Sequence, residues 1–327
     1  MHEDPERSTF RIRTRRRRLL LALAAAPLLP LATEPAAAGD KVLRIGVQKY
    51  GTLIILRERH VLEQALKPLG WSVSWAEFPG GPQLLEALNV GAIDFGTTGE
   101  TPPIFAQAAG APLLYVSSEP PSPRGEAILV PKNSHIRGIT DLKGKRVALN
   151  KGSNVHYLLV RALESAGLKP GDIQVVYLAP ADGRAAFDQG AVDAWVIWDP
   201  FLAVAQHATQ ARALTDARGL APNRQFFLAS RALVQEHSDV IKLVNDQIDE
   251  TDRWAEQHQP EAAALLSASL GVPQPVMAQA LARMGYGVAP LTPEVVADQQ
   301  KIADTFHALR LIPSPITVSE AVWHPGS

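Results

Sequence analysis

Two successive runs of alternating strand-like and helix-like segments constrain this chain more than any other feature of its sequence. Residues 42–47 (VLRIGV), 72–78 (SVSWAEF), 93–96 and 113–117 (LLYVS) are short, apolar or alternating, and bounded by glycine and proline, as strands are. Residues 53–69 carry apolar side chains at helical spacing (Leu53, Leu56, Leu62, Ala65, Leu66, Leu69) and stop at Gly70; residues 83–90 and 103–109 give two shorter helices. The pattern then restarts. Strands are expected at 127–130, 146–149, 173–178 and 193–198, with helices at 154–166, 181–188 and 200–206. Residues 226–229 (FFLA) add one short strand, and 232–309 is mainly helical with proline punctuation. Such alternation means βαβ units and mostly parallel sheets. Two sets joined by two crossings predict two lobes around a cleft that closes on a ligand. The first lobe is expected from 41–127 and 226–327, the second from 128–225, with hinges at 125–129 and 225–228.

The N-terminus is expected to stand outside that fold. Four arginines, Arg15 to Arg18, precede an apolar run at 19–31 and a small-residue site, Ala36-Ala37-Ala38. That order describes a secretory leader over residues 1–38. The run is short for a membrane anchor, which needs about 20 apolar residues. The arginines fit either general or twin-arginine export. Cleavage after Ala38 removes seven arginines and four acids, so the formal charge moves from −1 to −4. A mildly acidic chain offers no global basic field for nucleic acid. With no cysteine, it has no disulfide, thiolate or lipid-anchoring cysteine.

Ligands of parallel α/β sheets sit beyond the carboxyl ends of the strands. That rule selects the turns at 48–52, 79–82, 96–103, 119–124, 150–154, 180–184 and 198–200. Three of them, PGGPQ, GTTGETPP and NKGSNVH, place glycines after a strand and before a helix start. A helix start offers amides without intrahelical partners and about half a positive charge, which suits an anion. Ser153 is an N-cap candidate, Thr97 and Thr98 add hydroxyls, and Gly99 permits close backbone approach. None of these turns has the order of a phosphate loop, and no G-x-G-x-x-G follows the first strand. No G-x-S-x-G elbow occurs, and the nine histidines include no H-x-x-x-H pair, so neither a catalytic residue nor a metal ligand is expected. Asp199 beside Trp198 has no evident second acid for acid/base work. His156 either points at the rim or is an ordinary helix residue. Trp195 and Trp198, three apart on a strand, face opposite sides, one for the core and one for the cleft.

At these turns the sequence resembles the aliphatic sulfonate-binding proteins of bacterial ABC importers. The likeness is carried by LRIGVQK, EFPGGPQLLEALNVGAIDFGTTGETPPIFAQAAGAPLLYV, EPPSPRGEAILV, DLKGKRVALNKGSNVHYLLVRALESAGL and APADGRAAFDQGAVDAWVIWDPF. The resemblance implies an α/β, two-lobed type II periplasmic binding protein fold, each lobe a mostly parallel sheet flanked by helices, with two hinge crossings. It implies a monomeric periplasmic receptor without cofactor, catalysis or nucleic acid, which takes an alkanesulfonate and delivers it to an inner-membrane permease with its ATPase. The implied ligand contacts are Gln48, Gly80, Gly81, Thr98, Gly99, Ser153, Asn154, His156, Trp198 and Asp199. Two turns depart from the family: Asn154 and Val155 stand where hydroxyl residues usually follow KGS, and QKYGT replaces a smaller turn. Tyr50, Trp198 and Phe226 are candidates to pack the organic tail. Glu100 and Asp199 are expected to point away from the sulfonate or to serve another group. A taurine, nitrate, aromatic sulfonate or sulfate-ester receptor is the alternative, and an enzyme on the same fold, like thiamine-pyrimidine synthases, a further one.

Overall fold

A computed structural model describes residues 41–325. The leader expected at 1–38 lies outside the described residues. The chain opens with β1 (Lys41–Val47), α1 (Thr52–Arg59), α2 (Val61–Leu66), β2 (Trp71–Glu77), α3 (Gly81–Asn89), β3 (Phe95–Gly99), α4 (Pro102–Ala108) and β4 (Leu113–Ser118). It continues with β5 (Glu126–Val130), β6 (Arg146–Leu149), α5 (Asn154–Ser165), β7 (Gln174–Tyr177), α6 (Pro180–Asp188), β8 (Ala194–Trp198), α7 (Phe201–Thr209) and β9 (Arg212–Asp216). It returns through β10 (Gln225–Ser230) and ends in α8 (Arg231–Glu236), α9 (Ser238–Gln257), α10 (Gln259–Leu270), α11 (Gln274–Leu281) and α12 (Pro293–Ala308).

The strands form two five-stranded sheets, ordered β2-β1-β3-β10-β4 and β7-β6-β8-β5-β9. In each sheet four strands run one way and one runs against them: β10 in the first, β5 in the second. Those two strands are the ones that arrive by crossing between lobes. Each therefore adds main-chain pairing on both sides of itself at the point where the lobes join.

Three local features differ from the sequence expectation. The helix expected over 53–69 is interrupted at His60, whose φ of 55° is left-handed and ends α1. The third strand runs on to Gly99, because β10 pairs Gln225 with Gly99 and Phe226 with Thr98. Half of the GTTGETPP stretch is thus strand and not turn. Strand β9 has no counterpart in the sequence reading. Its residues RALTD are mostly half-exposed at a sheet edge and carry no apolar run.

The last helix adds a bridge to the two expected crossings. From α12, Gln299 Nε2 donates to Tyr115 OH at 3.0 Å and to the carbonyl of Glu100, both in the first lobe. Seven residues later, Phe306 stacks edge-on with Phe105 of the first lobe at 5.0 Å and tilts over His156 and Tyr157 of α5 at 5.3 and 6.1 Å. Phe306 is fully buried. One aromatic ring therefore sits in both lobes. Phe306→Ala is expected to cost about 3–5 kcal/mol in denaturant unfolding, the range for a buried Phe truncation; a loss below about 1 kcal/mol would show that the ring is not packed there.

Candidate functional site

The carboxyl ends of the strands from both sheets converge on one cavity of about 50 Å³. At roughly 10–15 Å³ for each water-sized group, it holds about four heavy atoms. Its wall takes Gln48, Tyr50, Gly51, Gly81, Gly99, Pro102, Glu119 and Ser122 from the first lobe and its edge. The second lobe and the crossings supply Gly125, Ser153, Asn154, Trp198, Asn223 and Gln225, and Met284 closes the wall from beyond α11. No lysine, arginine or histidine is among these residues. Among the described residues there is no cluster of His, Cys, Asp or Glu that could hold a metal.

Helix starts supply the positive potential instead. α3 begins at Gly81 after the extended cap Gly80, and α5 begins at Asn154 after the extended cap Ser153. Gly80 has no side chain, and that of Ser153 leaves the first amides unoccupied. Ser153 Oγ donates instead to the carbonyl of Asn150 at 2.7 Å, which fixes the preceding turn. The amides of Gly81 and Asn154 have no hydrogen-bond partner among the described residues. α4 does not join them. Its first two residues, Pro102 and Pro103, carry no N–H, and the amide of Thr101 donates to Asn154 Oδ1 at 3.1 Å. Of the three expected helix starts, two remain available to an anion.

Asn154 holds the two lobes together at the cavity. Its Oδ1 takes the Thr101 amide, and its Nδ2 donates to Asn223 Oδ1 at 2.8 Å. Asn223, left-handed at φ 50°, donates in turn to the carbonyl of Ser122 at 2.9 Å. The chain Thr101–Asn154–Asn223–Ser122 thus links a first-lobe turn, the start of α5 and both crossings. Gly99 makes the approach feasible. A Cβ there would stand 2.0 Å from Asn154 Nδ2, well inside contact distance.

The structure brings Gln48, Gly81, Gly99, Ser153, Asn154 and Trp198 to the cavity wall. Gln48 is anchored by donating from Nε2 to the carbonyl of Thr97 at 3.0 Å. Trp195 is buried in the outer core while Trp198 faces the cavity, as their spacing requires. Four expected contacts stand elsewhere. Gly80 sits one residue behind the wall as the cap of α3. Thr98 is fully buried, and its hydroxyl donates to the carbonyl of Gly99 at 2.9 Å. His156 points away, packing edge-on against Tyr177 at 5.7 Å and against Phe306; burial lowers its pKa to about 4, so it is neutral. Phe226, expected near the ligand tail, is core packing against Tyr115 at 5.2 Å.

After Gly80, Thr98 and His156, Asp199 is the fourth of the implied contacts outside the wall. Its carboxylate is fully buried and meets Arg283 Nη1 at 3.2 Å, while it also accepts the amide of Ala203 at 3.0 Å. Burial pushes its pKa up to about 7 against the pull of Arg283. Arg283 follows α11, which packs on α10 and on α7, and its Nη2 donates to Gln206 of α7 at 2.8 Å. The pair is a buried strap between lobes, outside the cavity wall. Glu100 is likewise turned from the cavity, accepting the amide of Arg224 at 3.0 Å, with burial pushing it up to about 7. Glu126, at the start of β5, is fully buried with neither oxygen bonded; burial and then Glu100 push its pKa well up, which favours the neutral form. Glu119, Asn223 and Met284 are wall residues that sequence reasoning did not single out. Glu119 lay in a selected turn, whereas Asn223 and Met284 gave no local signal.

Two α/β lobes around a small cavity lined by helix starts, with no basic side chain in its wall, define a ligand-binding protein of the two-lobed type. Residues 70–263 match the family described as NMT1/THI5 like. An aliphatic sulfonates-binding protein of Escherichia coli (strain K12) is 45% identical over 311 residues, 94% of this chain and 97% of that one. A taurine-binding periplasmic protein of the same organism is 30% identical over 220 residues, 64% of this chain and 67% of that one. The alkanesulfonate-binding protein SsuA of Xanthomonas axonopodis pv. citri, solved bound to MOPS, superposes with a TM-score of 0.84 at 44% identity, covering 88% of this chain and 99% of that one. The chain belongs to the NMT1/THI5 like family and, within these relatives, to the aliphatic sulfonate-binding proteins. It is a binding protein and not an enzyme.

Gly99→Ala tests the lobe contact. The added methyl cannot share space with Asn154, so ligand affinity is expected to fall about tenfold or more, roughly 1.4 kcal/mol. Unchanged affinity in calorimetry would show that the lobes need not meet at Gly99.

Proposed function

We propose that this chain is the periplasmic substrate-binding component of an ABC importer. It captures aliphatic sulfonates between its lobes and delivers them, as a monomer, to an inner-membrane permease driven by its ATPase. One observation carries the reading: the starts of α3 and α5 line a single small cavity that has no cationic side chain in its wall. A sulfonate is a permanent monoanion with three acceptor oxygens and no proton to give. Amide dipoles suit it, and charge-assisted hydrogen bonds are the stronger kind. A dianion such as sulfate would leave more charge uncompensated in the same place. The naming of the 45% identical relative and of the SsuA structure supports the same class. The ring of Tyr50, fixed by its hydroxyl donating to the carbonyl of Ala280 at 2.7 Å, stands with Trp198 and Met284 as the surface for the alkyl tail. A cavity of about 50 Å³ suits the head group.

Thermal-shift and calorimetric titration with ethanesulfonate, longer alkanesulfonates, taurine, nitrate and sulfate test the reading. Alkanesulfonates at about 100 times Kd are expected to stabilise the fold by about 2.7 kcal/mol, and nitrate and sulfate by less. No stabilisation by any sulfonate would contradict it. A taurine receptor would be favoured if Asp199 held the ligand amine, but Asp199 is occupied by Arg283. Asp199→Asn is therefore expected to lower stability and leave the ratio of taurine to ethanesulfonate affinity unchanged. A selective loss of taurine binding would reinstate Asp199 as a ligand contact.

A further inference from the structure

The cavity wall holds one carboxyl group whose surroundings set it apart from the others. Glu119 follows β4, is 3% exposed and lines the same small cavity as Gly81 and Asn154. Its Oε1 stands 2.9 Å from Oγ1 of Thr52, the first residue of α1. The same Thr52 oxygen is in still closer contact with Oδ1 of Asp252, a fully buried residue of α9. Asp252 also accepts the amide of Gly287 through its other oxygen at 3.0 Å. A hydroxyl carries one proton, so Thr52 can donate to only one of the two carboxyls. The remaining oxygen–oxygen contact needs a proton supplied by a carboxyl. The chain Glu119–Thr52–Asp252 therefore holds at least one carboxylic proton.

Burial outweighs the Thr52 hydroxyl and the Gly287 amide, the two neighbours that favour loss of that proton. Among the described residues no lysine or arginine bonds to either carboxyl. The ionisable groups around the chain are Asp249 and Glu256 on α9, Tyr286 beyond α11, and Tyr50 ahead of α1. Asp199 and Arg283 act on Tyr50 from the second lobe and the α11 side, as a mutually neutralised pair. Burial pushes Asp252 up to about 7, and burial together with Asp252 raises Glu119 well above the usual carboxylate range.

We propose that Glu119 is a specificity-determining residue of the cleft that meets the ligand as a carboxylic acid, its proton shared with Asp252 through Thr52. The inference rests on the sulfonate reading above. A neutral Glu119 leaves an anion unopposed, whereas an ionised Glu119 repels it across a small cavity. Binding of a sulfonate with an uncharged tail therefore keeps the proton in place, and takes one up where the chain has lost it. A ligand with an ammonium group on its tail reverses the preference, because an ionised Glu119 then becomes its partner. The proton on Glu119 thus sorts plain alkanesulfonates from aminoalkanesulfonates.

Ethanesulfonate is the probe, since it has no group that titrates near neutrality. Its affinity for the full-length mature protein is measured by calorimetry from about pH 6 to about pH 9, in buffers of differing ionisation enthalpy. Affinity is expected to fall with rising pH, by up to about tenfold per unit once the chain titrates. The buffer dependence is expected to report proton uptake over that range. Taurine affinity is expected to rise instead over the range in which its amine stays protonated. Glu119→Gln, which keeps the shape and cannot ionise, is expected to bind ethanesulfonate at high pH and to lose the pH dependence. Affinity of the unaltered protein that stays flat over this range, or a pH dependence that survives in Glu119→Gln, would overturn the inference while leaving the sulfonate reading intact. Failure of ethanesulfonate to bind even at about pH 6 would overturn both.

Discussion

The side-chain amide of Asn154 is the contact on which the cleft depends. It joins a first-lobe turn to the second crossing through two hydrogen bonds of 3.1 and 2.8 Å, and Asn223 extends the chain to the first crossing. All four groups are buried or nearly so, and an unpaired amide there would cost the desolvation of a polar group. The same residue begins α5, so its backbone amide is set at the cavity by the contact that sets the lobes. One residue in this way sets both the lobe contact and a cavity amide. Gly99 is the condition for it, since no side chain fits between the strand end and Asn154.

The second constraint is charge. A cavity meant for an anion has five acidic residues near it: Glu100, Glu119, Glu126, Asp199 and Asp252. None is free to act as an exposed negative charge. Asp199 is paired with Arg283, and burial favours the protonated form of the other four. Burying an ion is costly, and a group that can neutralise by taking a proton does so. The acids near the cleft therefore cost the ligand little, while all but Glu126 tie neighbouring segments together through hydrogen bonds.

Much of this was legible in the sequence, and the exceptions have local causes. The strand–helix rhythm, the cavity-facing turns and the division of labour between Trp195 and Trp198 follow from periodicity and the carboxyl-end rule. The position of His156 could have been read too. Two residues on from Asn154 in a helix is about 200° around the axis, which puts the ring on the far face. Other features depend on remote partners. β3 runs on to Gly99 because β10, more than a hundred residues later, pairs with it. Glu119 has meaning only beside Thr52 and Asp252, and those two are 200 positions apart. Phe306 and Arg283 join lobes from the helical C-terminus, where apolar spacing shows burial but not what is covered.

A crystal structure with ethanesulfonate bound tests the account most directly. The sulfonate oxygens are predicted to accept from the backbone amides of Gly81 and Asn154, with no lysine or arginine in contact and Asp199 still on Arg283. A sulfonate seated on a basic side chain, or anywhere other than these two helix starts, would contradict it.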